Sequence, residues 1–476
     1  MPLVGCLCAV TLGVANSSRA ADSARLPNIV FVLADDMGYG DPGCFNSGGK
    51  IRTPQLDRLA AAGMRFTDAH SPGAVCVPTR YGIITGRYPF RRPRMPWQRE
   101  SVIDESRMTI GAMLQQAGYR TECVGKWHLG FNHTSPPDYS RMSGGPLDRG
   151  FNHYFGLPHS LDIEPYYYIE DRTAVAAPTE RVAASSSDDW SPIQGEFWRA
   201  GGLAPGFRHD EVLPQLAERA KQAIARLAGE SKPFFLYFAL PAPHTPWLPL
   251  EPFRGSSAVG MYGDFVQQVD ATVGDVLGQL ERSGVAGETL VVFSSDNGPV
   301  WYPADTDKWK HAAAGPLRGM KGDAWEGGHR VPLIVRWPGH VAAGATSEQL
   351  VCQTDLFRTF AEICGVNLPS DAAPDSVSFA SALRNEGKST QPARTQLAMK
   401  SSRGFPVLRR QQWKLIVGAG SGGFSKSPTD GKGGANALQL YDLSRDLGEQ
   451  NNLAEQRPQL AESMLAQWRE LERESK

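Results

Sequence analysis

No stretch of this sequence approaches the roughly 18 consecutive apolar residues that a membrane-spanning helix requires. Neither charge is in excess. Lys and Arg total 49 against 50 Asp and Glu, a formal charge of −1, so the basic footprint of a nucleic-acid binder is missing. Cysteine is scarce, with seven in 476 residues, too few for a disulfide framework in a chain this long. No Cys/His spacing resembles a zinc site, and there are no internal repeats. What remains is ordinary globular composition, 41% hydrophobic and 21% charged. The length allows about three domains or one large α/β enzyme with an appendage.

The start of the chain resembles a secretory signal. Leu3 to Ala15 is apolar and small, and Ser18-Arg-Ala20 offers a cleavage site, although a basic first segment is missing. Residues 1–22 are therefore read as a signal peptide, and the protein as exported, periplasmic or secreted. Leu3-Val-Gly-Cys6 has the form of a lipoprotein box but lies too near the start. Of the other cysteines, Cys44, Cys123, Cys352 and Cys364 leave one or two disulfides open.

Asn28 to Ala34 is a continuous apolar, β-rich run, the pattern of a strand buried on both faces of a parallel sheet. Thr53 to Ala60 then reads as a helix with Pro at its first position, Met64 to Ala69 as a strand, Met108 to Ala117 as a helix and Tyr119 to Val124 as a strand. Asn132 to Pro205 is irregular and rich in Pro, Gly, Ser and aromatics, including Tyr166, Tyr167, Tyr168, Trp190 and Trp198. These rings either stack on a sugar or pack the stretch on itself. The alternation resumes with helix Asp210–Ala228, strand Pro233–Ala239, helix Tyr262–Leu280, strand Leu290–Ser295 and strand Val331–Arg336. Such alternation predicts a doubly wound α/β fold with a large, mainly parallel sheet flanked by helices. After about Ser370 the character changes. Thr395 to Val417 holds two strand-like runs around Gly404, Gly418 to Gly434 is a flexible loop, Leu438–Asp442 is a strand and Gln456–Arg473 a helix. This predicts a small C-terminal α+β antiparallel subdomain. The expected division is a catalytic domain over 27–390 and the subdomain over 391–476.

Five chemistry-bearing clusters fall at or just after predicted strand ends: Asp35-Asp36, Cys76, Lys126-Trp-His128, His244 and Asp296-Asn297. In a parallel sheet those ends share the edge at which ligands bind. Adjacent carboxylates at the end of a central strand are costly unless paired or bound to a cation. Cys76-Val-Pro-Thr-Arg80 reads as a residue just ahead of a helix start, with Arg80 one turn in. Backbone N–H groups and a guanidinium there would receive an oxyanion and favour a thiolate.

Cys76-x-Pro-x-Arg80, continued by Thr85-Gly-Arg87, resembles the signature of the type I sulfatases, with Ile84 where members of that family often carry Leu. The resemblance runs from about Asn28 to the terminal helix and implies an alkaline-phosphatase-like fold. It implies that Cys76 is oxidised to formylglycine (3-oxoalanine) by a formylglycine-generating or anaerobic sulfatase-maturating enzyme. The aldehyde hydrate is then the nucleophile toward sulfur. It implies one Ca2+ per chain held by Asp35, Asp36, Asp296 and Asn297, with residue 76 beside it. Arg80 would hold the hydrate, and Lys126 and Lys321 the sulfate oxygens. His244, with Lys321, would protonate the departing alcohol, and His128 would take a proton as sulfate leaves. Asp296 is also a candidate acceptor for the nucleophile's proton.

The implied activity is sulfate-ester hydrolysis on a sulfated glycan, with aryl sulfates as surrogates. Gly125–Gly130, Phe151–Gly156 and Leu317–Gly339 look most like arylsulfatase A and N-acetylgalactosamine-6-sulfatase. The alternatives are a phosphodiesterase or phosphonate monoester hydrolase of the same superfamily, or a catalytically silent carbohydrate-binding relative. Specificity is expected in Asn132–Pro205, around Trp247 and around Trp309-Lys-His311. His311 is read either as a substrate contact or as a surface histidine. Oligomeric state is not legible.

Overall fold

The computed structural model describes residues 26–96, 98, 100–384, 394–427 and 437–474. The expected signal peptide and its two cysteines lie outside them, as does the expected boundary at 390/391.

A ten-stranded sheet organises the larger part of the chain. Its spatial order is Ala345–Ser347, Met64–Phe66, Leu333–Arg336, Thr289–Ser295, Asn28–Asp35, Phe234–Pro243, Arg120–Lys126, His153–Leu157, Ile169–Glu170 and Thr173–Ala174. The five central strands, from Thr289–Ser295 to His153–Leu157, run parallel. Leu333–Arg336 pairs antiparallel with Thr289–Ser295, and Met64–Phe66 antiparallel with it in turn. Three central strands, Asn28–Asp35, Phe234–Pro243 and Thr289–Ser295, are buried along their whole length, which is what apolar runs without alternation produce.

Helices flank this sheet in two groups. Pro54–Ala61, Val212–Leu227 and Gly260–Arg282 pack together. In the second of these Val212, Leu216, Ala220, Ala223 and Leu227 recur at helical spacing and are buried. Each such Leu or Val removed from water contributes about 1.5–3 kcal/mol. Cys76–Thr85, Ile110–Gln116 and Asp355–Ile363 form the other group.

A four-stranded antiparallel sheet follows: Gln396–Lys400, Pro406–Arg410, Trp413–Val417 and Leu438–Asp442. It is buried on both faces. Leu397, Leu408, Leu415 and Leu440 pack with Met464 and Trp468 of the helix Pro458–Arg473. Met399, Val407, Ile416 and Tyr441 pack with Ala74 and Trp325 of the larger body. The fold class is therefore as expected, a large mainly parallel sheet with helices and a small antiparallel α+β unit.

Buried ion pairs join the two parts. Lys414 donates to Glu326 at 3.0 Å and pairs with Glu449 at 2.8 Å, all three nearly inaccessible. Lys414 also meets His329 Nε2 at 3.1 Å, and His329 Nδ1 meets His70 Nδ1 at 3.0 Å. The proton placement follows from the partners. Asp68 accepts from His70 Nε2–H at 2.8 Å, so His70 Nδ1 is the acceptor from His329 Nδ1–H, and His329 Nε2 accepts from Lys414. Arg330 and Arg409 close the network on Asp68 and Glu326.

Three local expectations change. The irregular stretch 132–205 contains His153–Leu157, a full strand of the central sheet. The segment 395–417 holds three strands rather than two, because Gln411, at φ 51°, turns the chain tightly between Arg410 and Trp413 without a glycine. The expected strand Met64–Ala69 splits, and Ala69–His70 pairs with Val351–Cys352 in a separate two-stranded sheet.

Candidate active site

Asp35 is the last residue of its strand, and Asp36 turns away at φ 64°. Next to that strand end lies that of Thr289–Ser295, followed by Asp296 and Asn297. The two ends are tied. Asp296 N donates to the Ala34 carbonyl at 3.0 Å, Asp36 N to Asp296 Oδ1 at 3.2 Å, and Asn297 Nδ2 to Asp36 Oδ1 at 2.6 Å. All four residues are buried. Asp35 Oδ1 and Asn297 Oδ1 have no hydrogen-bond partner.

Cations surround this acidic group. Arg80 donates from Nε and Nη2 to Asp296 Oδ2 at 3.1 and 2.9 Å, and from Nη1 to the Lys126 carbonyl at 2.8 Å. Lys126 Nζ contacts Asp35 Oδ2 and donates to Ser160 Oγ at 3.0 Å. Lys321 Nζ straddles Asp36, at 2.6 Å from Oδ1 and 2.8 Å from Oδ2. Gly125 lets Lys126 reach this position. It adopts φ +111°, and a Cβ there would lie 1.9 Å from the Ala239 carbonyl oxygen of the neighbouring strand.

His244 follows the strand Phe234–Pro243. Its Nδ1 faces the Thr245 carbonyl at 2.7 Å. A carbonyl only accepts, so Nδ1 carries the hydrogen. Nε2, 3.6 Å from Asp36 Oδ2 and 3.4 Å from Ser160 Oγ, is then the atom free to exchange a proton. His128 stands at φ 57° after Lys126. Burial, followed by the charges of Lys126 and Arg80, holds its pKa well below the usual histidine range, so it is a neutral base.

Cys76 opens the helix Cys76–Thr85 rather than preceding it. Burial pushes its thiol up to about 11 despite Lys126 and Lys321. The thiolate expected from a helix start and Arg80 is therefore not favoured, since Arg80 is turned to Asp296 and the thiol sits beside carboxylates. Burial, and next the charge of Asp35, pushes Asp296 up to about 7. Burial acts to raise Asp35 as well, but Lys126, His244, Arg80 and Lys321 outweigh it and hold that carboxyl well below its ordinary value. Burial would lower Lys321, yet Asp36 and its neighbours keep it firmly protonated.

Cys76, His128, His244 and Lys321 line one cavity of about 360 Å³, together with Met95, Ser160, Asp162 and Ile163. That volume lies at the small end of ligand sites, which span roughly 300–1,000 Å³. The structure thus brings together all ten residues singled out from the sequence. Ligand atoms of Asp35, Asp36, Cys76 and His244 lie within 4.8 Å of one another. Two orphaned oxygens, the repulsion between Asp35 and Asp296, and an all-oxygen donor set from Asp35, Asp36, Asp296 and Asn297 fit a hard divalent cation.

Sequence reasoning passed over Ser160 and Asp162. Both follow the strand ending at Leu157, so recognising that strand would have drawn attention to His159-Ser-Leu-Asp162. Other expectations move away from the cavity. Trp247 and Trp309 do not line it, and they pack around Trp190 at ring-centre distances of 4.7 and 5.8 Å. His311 is neither a substrate contact nor a surface residue. It is buried, with Nε2 on Asp41 at 2.8 Å and Nδ1 accepting from Lys50 N at 3.2 Å. Tyr166, Tyr167 and Tyr168 are buried too, so the stretch packs on itself. Cys44, Cys76, Cys123, Cys352 and Cys364 are all unpaired, so no disulfide forms among the described residues.

Comparison with known proteins converges on one family. The family profile described as Sulfatase matches residues 27–366. N-acetylgalactosamine-6-O-sulfatase of Bacteroides thetaiotaomicron is 30% identical over 93% of this chain and 92% of its own length. Human arylsulfatase A is 32% identical, over 90% of this chain and 84% of its own. A solved structure from work on glycosaminoglycan metabolism by Bacteroides thetaiotaomicron superposes with a TM-score of 0.83 at 29% identity, covering 94% of this chain and 100% of that one.

Proposed function

Because the chain belongs to the sulfatase family, hydrolases of sulfuric esters, we propose that it removes sulfate from a sulfated carbohydrate with a formylglycine made from Cys76 and one calcium ion. The observation that carries this reading is the single cavity in which Cys76, Lys321, His128 and His244 face one another beside the buried carboxylates. The glycan assignment rests on the names of the relatives, one an N-acetylgalactosamine-6-O-sulfatase.

Oxidised to formylglycine by a maturating enzyme, residue 76 would supply a hydrated aldehyde, one hydroxyl of which attacks sulfur and gives its proton to Asp296 while the bond from sulfur to the alcohol oxygen breaks. Asp35, Asp36, Asp296 and Asn297 would hold the calcium ion with residue 76 beside them, and the ion would supply positive charge to the sulfate oxygens. The remaining work falls to this chain's side chains. Lys126 and Lys321 neutralise the sulfate oxygens as charge builds in the transition state. Arg80, fixed between Asp296 and the Lys126 carbonyl, orients the nucleophile's side of the site. His244, anchored through Nδ1, delivers a proton from Nε2 to the departing alcohol oxygen. Ser160 lies between Lys126 and His244 and aligns both. His128, neutral at pH 7, takes the proton that must leave when sulfate is released. Among the described residues no helix is long and apolar enough to cross a membrane. Export, to the periplasm or beyond, is part of the proposal and rests on the leader-like start.

The test uses protein co-expressed with a formylglycine-generating enzyme, with the residue-76 peptide weighed by mass spectrometry. Sulfate release is then measured from 4-nitrophenyl sulfate, N-acetylgalactosamine 6-sulfate, galactose 6-sulfate and N-acetylglucosamine 6-sulfate, with 4-nitrophenyl phosphate as control. Sulfate release from the aryl ester and from at least one sugar ester is expected. Converted, calcium-loaded protein that releases none would overturn the reading.

A further inference from the structure

Asp162 lines the cavity with one carboxylate oxygen engaged and the other not. Its Oδ2 is held by Arg199 Nη1, and the same guanidinium nitrogen donates to the Asp162 carbonyl at 3.0 Å. Its Oδ1 is buried without a hydrogen-bond partner, and the whole residue is 6% exposed. A neighbouring nitrogen, His244 Nδ1 at 4.0 Å, is committed to the Thr245 carbonyl. Burial would raise this carboxyl, but His244 and Arg199 hold it below its ordinary value, so it is ionised and can only accept. A buried carboxylate oxygen with no donor is costly. In the cavity that Asp162 shares with Cys76, His244 and Lys321, the natural source of a donor is the bound substrate.

The sulfate end cannot be that source. Its oxygens are acceptors carrying negative charge, and a carboxylate repels them. The donor must come from the alcohol half of the ester. In the mechanism above His244 serves the leaving oxygen, and Asp162 stands just beyond His244, so the donor sits a few atoms from that oxygen. A plain aryl alcohol has no hydroxyl there, whereas a sugar ring has one on almost every carbon.

Building on the sulfatase reading above, we propose that Asp162 Oδ1 accepts a hydrogen bond from a hydroxyl on the carbon skeleton that bears the sulfate, and so selects polyhydroxylated alcohols. Arg199 is the positioning residue that aims the carboxylate. It belongs to the long stretch 132–205 and gives that stretch a route to the reaction pocket other than its aromatic rings.

The experiment compares wild-type, Asp162→Ala and Asp162→Asn proteins, each with residue 76 converted and calcium present. kcat/KM is measured for 4-nitrophenyl sulfate and for the sugar sulfate that wild type turns over fastest. The sugar-to-aryl ratio of kcat/KM should fall about 10- to 100-fold in Asp162→Ala, the range of a hydrogen bond to a charged group. It should fall in the same direction in the isosteric Asp162→Asn. Singly deoxygenated forms of that sugar sulfate supply the second arm. One of them should lose a similar factor with wild type and less than about 3-fold with Asp162→Ala, because the partner is already gone. An unchanged ratio, an equal loss on both substrates, or the absence of any deoxy form whose loss is masked would overturn the inference. So would a wild type that hydrolyses the aryl sulfate but no sugar sulfate, with the sulfatase reading left standing. Failure of converted wild type on every ester removes the premise itself.

Discussion

At the scale of single residues the site is a balance of buried charges beneath a small open cavity. Cys76 contributes little to packing beyond a small buried side chain, 7% exposed. Cys76→Ala should therefore abolish turnover, by at least about 10⁴-fold in kcat, while leaving the melting temperature within about 3 °C of wild type. Residual activity near the wild-type level would remove residue 76 from the mechanism. The carboxylates behave differently. Asp36 accepts from Asn297 and is straddled by Lys321, so Asp36→Ala leaves a buried cation alone. It should cost both activity and about 3–5 kcal/mol of stability, read by urea denaturation. Exhaustive chelation of wild type should likewise remove activity, and added calcium should restore it. Rates indifferent to chelation would eliminate the cation.

At the scale of elements, what was legible followed from strong local pattern. The run Ile29–Ala34 is apolar at every position, so its strand and the carboxylates at its end could be read directly. The helix that opens at Cys76 announced itself through Pro78. Weak pattern hid the rest. His153-Tyr-Phe-Gly-Leu157 is only five residues long and starts with an exposed His, and it is flanked by Pro- and Gly-rich sequence. Its identity as a core strand comes from pairing with Arg120–Lys126, a long-range fact that no local window contains. Missing that strand meant missing Ser160 and Asp162. The turn at Gln411 was missed for a related reason, because a glutamine at positive φ carries no compositional mark. Pairing also explains Gly125. Gly125→Ala forces a Cβ to within 1.9 Å of the Ala239 oxygen and should destabilise by about 2–4 kcal/mol. In the folded fraction the loss of kcat should exceed the rise in KM, because Lys126 is displaced. Wild-type stability in this variant would contradict the register described.

At the scale of the whole molecule the small sheet is part of the catalytic body's support. Lys414 is shared between Glu326 and Glu449, and burial pushes Glu449 up to about 7. Removing the lysine raises the folded-state pKa of Glu449 further, and takes away the largest of the charges that hold Glu326 well below its ordinary value. A carboxyl whose folded pKa lies above its unfolded value loses stability as pH climbs between the two. Lys414→Met should therefore be destabilised by about 3–5 kcal/mol at pH 8 and by less at pH 5, where Glu449 takes up a proton. Thermal melts across that interval check the sign, and a larger deficit at pH 5 would reverse it.

The loop bearing Lys321 is gripped from both sides. Gly322 N donates to the Ala74 carbonyl at 2.8 Å, next to the turn into Cys76, while Ser402 N donates to the Gly322 carbonyl at 2.9 Å and Ala324 N to Ser421 O at 2.7 Å. The grip on the Lys321 loop is thus complete only once the chain has been made as far as Ser421. A ribosome adding about 5–20 residues per second needs roughly 17–70 s to travel from residue 76 to residue 421. Through that interval the pocket around position 76 is unfinished, so an enzyme that converts residue 76 as proposed above would have a window that folding then shuts.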